Sequence, residues 1–159
     1  MQPSTALQRF LPYQLSITSN AVSGRIALEY RSRFGLSVPE WRVMAVLGDT
    51  GAMTQRDLTR RTLMDKVAVN RACKVLEERS FVARAPNEQD GRSHLLDLTE
   101  EGRSIHAQIM PLAVEMEKRL FNCFDDAEMD VFRNLLSRLR SQVDEFSDED
   151  LDECNFGVK

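Results

Sequence analysis

The sequence predicts a mainly α protein with a small β-hairpin, and three patterns lead to that fold class. Apolar residues recur at helical spacing along most of the 159 residues. Two short β-prone runs, residues 81–84 and 95–98, flank a segment with Pro86, Asn87 and Gly91, which is typical of a hairpin loop at 85–94. Capping residues stand at the start of most helical runs and separate them from one another.

The first helix is predicted over residues 7–34, where apolar residues lie on more than one side. A helix that covers only its own core shows a single apolar stripe, so this pattern predicts burial between partners. Gly35 ends the helix. The apolar positions are Leu7, Phe10, Leu11, Leu15, Val22, Ile26 and Tyr30.

A second helix is predicted to begin at Ser37, a capping residue. Pro39 is tolerated in the first turn, and Glu40 completes a capping box with Ser37. Gly48 and Gly51 are predicted to end this helix.

Two short helices joined by a tight turn follow, which predicts a helix-turn-helix. Met53 could pair weakly as a third strand, and Thr54 caps a helix that ends near Thr62. Asp65 begins the second helix, which runs to Arg79. Its apolar face carries Val69, Ala72, Cys73 and Leu76, whereas Lys66, Val67, Asn70, Arg71 and Lys74 lie toward the other side.

Two longer helices are predicted after the hairpin. Thr99 caps the first, which runs to about Phe121, although Pro111 must kink or interrupt it. Asp125 and Glu128 form the capping pattern of the second. Its apolar stripe comprises Met129, Phe132, Leu135, Leu136, Leu139, Val143 and Phe146. Together with the apolar first helix, this stripe exceeds what one compact helix-turn-helix and hairpin can cover, so it predicts a homodimer.

The net charge of −4 is unevenly distributed. Residues 122–159 carry eleven acidic and four basic residues, and 147–159 are predicted to be a disordered acidic tail. Residues 52–98 carry nine basic and seven acidic residues. Because phosphate affinity depends on the local cluster of charge, the acidic total does not exclude a basic DNA-binding face.

Several classes of protein are disfavoured. No GxSxG, HExxH, Walker or GxGxxG pattern is present, so no catalytic residue or cofactor is predicted and the protein is not expected to be an enzyme. His94 and His106 lack metal-site spacing, and the three cysteines are predicted to be reduced thiols. No signal peptide or membrane span is recognisable, which predicts a cytoplasmic protein without a membrane partner.

A helix-turn-helix followed by a hairpin is a winged helix, and its residues resemble a known family. Asp90 and Arg92 in the hairpin, followed by Leu98, Thr99 and Gly102, match the Asp-x-Arg and Leu-Thr-x-x-Gly hallmarks of the MarR (multiple antibiotic resistance regulator) family. The resemblance covers nearly the whole chain in element order and length. Two departures are Ser80, where a glycine is usual, and Thr59, where a small alanine is usual.

The resemblance implies an obligate homodimer that reads a pseudo-palindromic operator in double-stranded DNA. It implies a single domain over residues 1–146, with a winged helix-turn-helix lobe at 37–98 and N- and C-terminal dimerisation helices at 7–34 and 99–146. It also implies a ligand cleft between these helices and the DNA-binding lobe. The expected activity is that of a repressor released by a small-molecule effector, such as an aromatic acid or its CoA thioester.

The predicted DNA contacts fall in three groups. Asn70 can read an adenine edge, and Arg71 can contact a guanine or a phosphate. Arg92 at the hairpin tip is placed to enter a minor groove. Gln55 and Arg56 are phosphate candidates, although an ordinary surface role remains open for them. The full set is Thr54, Gln55, Arg56, Lys66, Val67, Ala68, Asn70, Arg71, Lys74, Arg84, Asp90 and Arg92.

The candidate effector contacts are Tyr13, Asn20, Trp41 and Arg42, which lie on the helices bordering the family's cleft. A core aromatic is the simpler interpretation of Trp41. The alternative function is a winged-helix module that binds an acidic protein surface without specific DNA binding. A continuous basic strip from Lys66 to Arg92 would favour DNA, whereas an apolar patch on the recognition face would favour protein.

Overall fold

The computed structural model describes residues 6–145 and confirms a mainly helical chain with a small antiparallel sheet. The chain divides into two units, one ending at Glu117 and the other beginning at Lys118. The elements are α1 (Ala6–Arg9), α2 (Leu11–Phe34), α3 (Val38–Thr50), β1 (Met53–Thr54), α4 (Gln55–Thr62), α5 (Lys66–Glu78), β2 (Val82–Pro86), β3 (His94–Leu98), α6 (Glu100–Leu120) and α7 (Asp126–Glu145). Within residues 6–145, no helix has the length and apolar character needed to cross a membrane.

The predicted first helix is wrong in one respect, because it is broken into α1 and α2. Phe10 between them has an extended backbone, with ψ 107°. Pro12, in the first turn of α2, has no N–H to donate to the carbonyl of Gln8 four residues earlier. The side-chain amide of Gln14 donates to that carbonyl instead. Proline chemistry in the first turn of α2 therefore explains the break.

The α2–α3 junction follows the sequence prediction, but the end of α3 does not. Gly35 ends α2 in the left-handed conformation, with φ 63°. Ser37 and Glu40 form the predicted capping box, in which the Ser37 N–H donates to Glu40 Oε2 at 2.9 Å. Gly48 does not end α3, which continues to Thr50 before Gly51. A Cβ atom at Gly48 would lie 2.5 Å from Nε2 of His106, so this glycine serves a close approach between α3 and α6.

The sheet has the strand order β1-β3-β2, with both pairs antiparallel. The weak third strand is confirmed, because Met53 pairs with Leu96. The predicted hairpin loop is too long, since the strands continue until Pro86 pairs with His94. β2 is an edge strand, where a proline without an N–H is tolerated. The loop proper is therefore residues 87–93.

The helix-turn-helix forms as predicted. Thr54 Oγ1 accepts from the Asp57 N–H at 3.1 Å, and Asp65 Oδ1 accepts from the Ala68 N–H at 2.8 Å, so α4 and α5 are both side-chain capped. The predicted apolar face of α5, formed by Val69, Ala72, Cys73 and Leu76, is buried. Burial raises the pKa of the Cys73 thiol to about 11, which favours a packing role over a reactive one.

The end of α5 is fastened to the start of α6. Ser80 adopts the left-handed conformation, with φ 60°, even though it is not a glycine. Thr99 Oγ1 donates to the Ser80 carbonyl at 2.6 Å and accepts from the Gly102 N–H at 2.9 Å. The Thr99 N–H donates to the Phe81 carbonyl at 3.0 Å. The Leu-Thr-x-x-Gly motif thus joins the end of α5, the sheet and α6.

Pro111 does not interrupt α6, so of the two predicted outcomes, a kink or an interruption, the interruption is wrong. The helix runs continuously from Glu100 to Leu120. Ile109 is buried in the core, and Leu112 and Ala113 pack against it. This packing on both sides of Pro111 offsets the loss of one backbone donor.

The unit that begins at Lys118 contains α7 and its predicted cap. Asp125 and Glu128 each accept from the other's N–H, at 2.8 and 3.0 Å. The predicted apolar stripe is largely exposed in the single chain, at Leu135, Leu136, Leu139 and Val143. Phe146 and the predicted acidic tail at 147–159 lie outside the described residues.

We expect Gly102→Ala to destabilise the fold. A Cβ atom at this position would lie 1.9 Å from the Phe81 carbonyl oxygen, which already accepts the Thr99 N–H. The backbone must shift to make room for the methyl group, which should lower the free energy of unfolding by about 1–3 kcal/mol. Urea denaturation measures this change.

Gly24→Ala is the matched control for this change. A Cβ atom at Gly24 in α2 meets nothing within 4 Å, so alanine should be neutral or stabilise the helix by about 0.5–1 kcal/mol. Unfolding midpoints that are equal for Gly102→Ala and the unchanged chain would contradict the proposed role of Gly102.

Candidate nucleic-acid interface

The outer face of α5 is exposed and cationic. Lys66, Arg71 and Lys74 project into solvent on the side opposite the buried face. In the described part of the chain, none of these three side chains forms an ion pair. Lys66 lies in the first turn of α5, where the helix dipole disfavours a cation, so the helix itself gains no stability from this charge. The α5 face can therefore meet phosphates without first breaking internal contacts.

The start of α4 is aligned with this face. Gln55 Nε2 donates to Asn70 Oδ1 at 3.3 Å, which links the first residue of α4 to the middle of α5. Val67 is exposed and Ala68 half-buried near the start of α5. The predicted contacts on both helices therefore lie in adjacent parts of the surface.

The hairpin loop of residues 87–93 is held by its own hydrogen bonds. The Asn87 N–H donates to the Ser93 carbonyl at 3.2 Å, and the Asn87 side-chain amide donates to Ser93 Oγ at 2.9 Å. Asp90 Oδ1 accepts the backbone N–H of Arg92 at 3.1 Å. Asp90 thus fixes the backbone at the tip, and among the described residues the guanidinium of Arg92 has no ion-pair partner.

A groove of about 510 Å³ joins the start of α4 to the hairpin. It brings together Arg56, Arg84 and Arg92, three of the arginines predicted from sequence. Arg60, which was not predicted, also lines it and lies one helical turn after Arg56; the four-residue spacing on a helix could have indicated it. The complete lining is Thr54, Gln55, Arg56, Asp57, Arg60, Arg84, Asn87, Asp90, Arg92, Ser93 and His94.

Arg84 differs from the other predicted arginines because it is already paired. Its Nε and Nη2 atoms donate to the two carboxylate oxygens of Glu77, at 2.9 and 3.0 Å. This hydrogen bonding raises the pKa of Arg84. The pair connects β2 to the last turn of α5, so Arg84 orients the hairpin relative to this helix.

Arg79 is a structural residue that the sequence did not single out. Its Nη1 and Nη2 atoms donate to the carbonyls of Gly35 at 3.0 Å and Phe34 at 2.7 Å, at the end of α2. The same guanidinium lies 4.5 Å from the centre of the Phe81 ring. Arg79 therefore connects α2 to the junction between α5 and β2. No local motif indicates this role, because its partners are 44 and 45 residues away.

The candidate effector residues are only partly brought together. Trp41 and Arg42 are half-buried on α3, and Arg42 Nη2 donates to Ser23 Oγ on α2 at 3.3 Å. Asn20 lies one helical turn before Ser23 but is exposed, as is Tyr13 further along α2.

Trp41 has contacts that favour its interpretation as a core aromatic. It packs edge to face on Tyr30, with 5.3 Å between the ring centres, and it lies against the core. Its indole Nε1 is buried without a hydrogen-bond partner among the described residues.

The comparisons with known proteins agree with this architecture. The MarR family profile matches residues 34–93, which include α3, the helix-turn-helix and the hairpin loop. An uncharacterized HTH-type transcriptional regulator of Bacillus subtilis, YwoH, is 28% identical over 136 residues, covering 86% of this chain and 98% of the relative.

Two solved structures extend the likeness to the helices outside the lobe. A MarR/EmrR family transcriptional regulator from Acinetobacter sp. ADP1 is 29% identical, with a TM-score of 0.82 and coverage of 89% of this chain and 100% of that one. Bordetella bronchiseptica BpsR, whose DNA binding is regulated by 6-hydroxynicotinic acid, has a TM-score of 0.68 at 22% identity and covers 80% of this chain and 98% of its own; it supports the fold alone.

The residues that carry the sequence resemblance lie at two defined places in this fold. Asp90 and Arg92 form the tip of the hairpin loop, and Thr99 and Gly102 form the junction with α6. The profile, the full-length relative and the solved structure concern transcriptional regulators, which are not enzymes. Residues 34–93 thus match the MarR family, and most of the chain is similar in sequence and fold to winged helix-turn-helix transcriptional regulators of that family.

Proposed function

We propose that the protein is a dimeric repressor that binds a pseudo-palindromic operator and is released by a small aromatic or acyl-CoA effector. The observation that carries the DNA-binding part is the set of exposed cations on α5 and around the groove that reaches the hairpin loop. Such a surface suits a polyanion with a regular backbone.

The proposed docking puts α5 in the major groove and Arg92 in the adjacent minor groove. α5 has 13 residues and is therefore about 20 Å long, enough to lie in a groove about 12 Å wide with its first turns against the bases. Arg56 and Arg60 would meet phosphates between the two grooves. Asn70 and Arg71 would read base edges.

A protein-binding module is less well supported by this surface. An interface core is apolar, with few charged residues. On the α5 face, Val67 is the single exposed large apolar side chain among Lys66, Asn70, Arg71 and Lys74. The charge pattern favours nucleic acid.

The dimer is supported by apolar surface that the single chain leaves exposed at both ends. Leu11 in α2 is 74% exposed and Val143 in α7 is 61% exposed. We propose that residues 7–34 and 99–146 are dimerisation helices and that 37–98 form the DNA-reading lobe. The exposed apolar residues on α1, α2 and the segment between them are Leu7, Phe10, Leu11, Tyr13, Leu15, Ile17 and Leu28; those on α7 are Val131, Leu135, Leu136, Leu139 and Val143.

The effector proposal rests on residues between α2 and α3 and on fold-level likeness. Arg42 could bind a carboxylate by giving up its single long hydrogen bond to Ser23, and the free indole N–H of Trp41 could donate to a ligand. The regulation of BpsR by an aromatic acid makes this class of ligand the first to test. Tyr13 and Asn20 would complete the site.

We expect Arg92→Ala and Arg71→Ala to weaken binding to an operator selected from random DNA. Arg92→Ala should leave the melting temperature unchanged because its side chain is exposed and unpaired within the described chain. Arg71→Ala should cost about 1–3 kcal/mol at one base position if it reads a guanine. Fluorescence anisotropy on operator and random duplexes at several salt concentrations measures both effects.

Arg33→Ala is the matched control for these variants. Arg33 is an exposed arginine of α2 that pairs with Glu29 and lies outside the proposed interface. Equal losses on operator and random DNA would make Arg71 a phosphate contact. If Arg92→Ala and Arg71→Ala bind DNA as tightly as the Arg33→Ala control, the face formed by α5 and the hairpin is not the DNA-binding surface.

The protein is expected to be a dimer at low micromolar concentration. Burial of the apolar residues on α2 and α7 should make the dimer and the folded state inseparable. Sedimentation equilibrium together with far-UV circular dichroism tests this, and a folded monomer at these concentrations would refute the dimer.

Effector and operator should bind with negative coupling. A ligand can shift the protein between DNA-binding and released states only by its differential affinity, typically about 1–3 kcal/mol, and DNA must weaken the ligand by the same factor. A thermal-shift screen of aromatic acids and their CoA thioesters first identifies a ligand. Calorimetric titrations with and without saturating operator then compare its affinities; equal values would refute induction but leave DNA binding intact.

A further inference from the structure

Val67 is an apolar residue in an otherwise polar part of the surface. It is the second residue of α5, and its side chain is 66% exposed. Asn70, Arg71 and Lys74 follow it at three, four and seven residues, so all four lie on one side of the helix. The fold gains little from an apolar side chain that stays in water, because its stabilisation would require burial.

The major groove presents one apolar group that such a side chain can recognise. Thymine carries a C5 methyl group there, beside the O4 acceptor, while its adenine partner presents N7 and N6. Asn70, one helical turn after Val67, has the amide that pairs with an adenine edge. Two neighbouring side chains of α5 therefore carry the two chemistries needed to recognise A·T pairs.

We propose that Val67 packs against the C5 methyl group of a thymine in each operator half-site and thereby determines sequence preference. This inference rests on the proposed function, in which α5 lies in the major groove. Val67 has no donor or acceptor with which to bind a phosphate. The cations next to it, Lys66 and Arg71, favour a nucleic acid over an apolar protein surface.

The test removes the methyl group from the DNA rather than only the side chain from the protein. Full-length protein is first used to select a preferred duplex from random sequences. The thymines of that duplex are then replaced by deoxyuridine, which lacks only the C5 methyl group. One position is changed at a time, in both half-sites of the duplex. Fluorescence anisotropy measures each Kd for the unchanged protein, for Val67→Ala and for Leu63→Ala.

Leu63 is the control because it is 62% exposed but precedes α5, at the end of α4. At one thymine position, replacement by uracil should raise the Kd of the unchanged protein about fourfold for each half-site. Val67→Ala should bind the thymine and uracil duplexes equally at that position, whereas Leu63→Ala should retain the difference. Circular dichroism checks that both variants are folded.

Three results would overturn the inference. The unchanged protein could tolerate uracil at every position, Val67→Ala could keep the full preference for thymine, or Leu63→Ala could lose it. Each of these leaves sequence-specific DNA binding in place and removes only the role of Val67. A selection that enriches no sequence would instead overturn the operator-binding function together with this inference.

Discussion

The close approach of α6 to the carbonyl of Phe81 is the constraint on which the winged helix-turn-helix depends. It requires a residue without a side chain at Gly102, since a Cβ atom there would lie 1.9 Å from the carbonyl oxygen. Around that contact, Thr99 bonds to Ser80 and to Phe81. The end of α5, the residue before β2 and the start of α6 are thereby held together by one small group of hydrogen bonds. The Leu-Thr-x-x-Gly hallmark is explained by this packing.

Local signals predicted most of the elements. Side-chain caps at Thr54, Asp65 and Asp125 marked the starts of helices. The buried face of α5 followed directly from the helical spacing of its apolar residues. The errors arose where tertiary packing outweighs local preference. Gly48 lies inside a helix because a neighbouring helix needs the space, and Pro111 is accommodated by burial on both sides. Pro12 is different, because the break before α2 follows from local proline chemistry alone.

The candidate interface was predictable in its composition but not in its connections. The exposed cations of α5 and the tip arginine follow from helix periodicity and from the position of the hairpin. The pairing of Arg84 with Glu77 and the contacts of Arg79 with α2 depend on long-range geometry. Charge type alone therefore does not separate an arginine that meets solvent from one that holds two elements together. The distinction matters because only the former can contact DNA without a loss of internal bonds.

The left-handed serine at position 80 affects how the lobe can move. A glycine at this corner would allow a wide range of backbone angles, whereas Ser80 has a Cβ atom that excludes most of them, and Thr99 holds its carbonyl. The ion pair between Glu77 on α5 and Arg84 on β2 also spans this junction. These contacts restrict the orientation of α5 relative to the hairpin. In the proposed docking, the distance between the two grooves that one lobe can touch would be set by the folded chain.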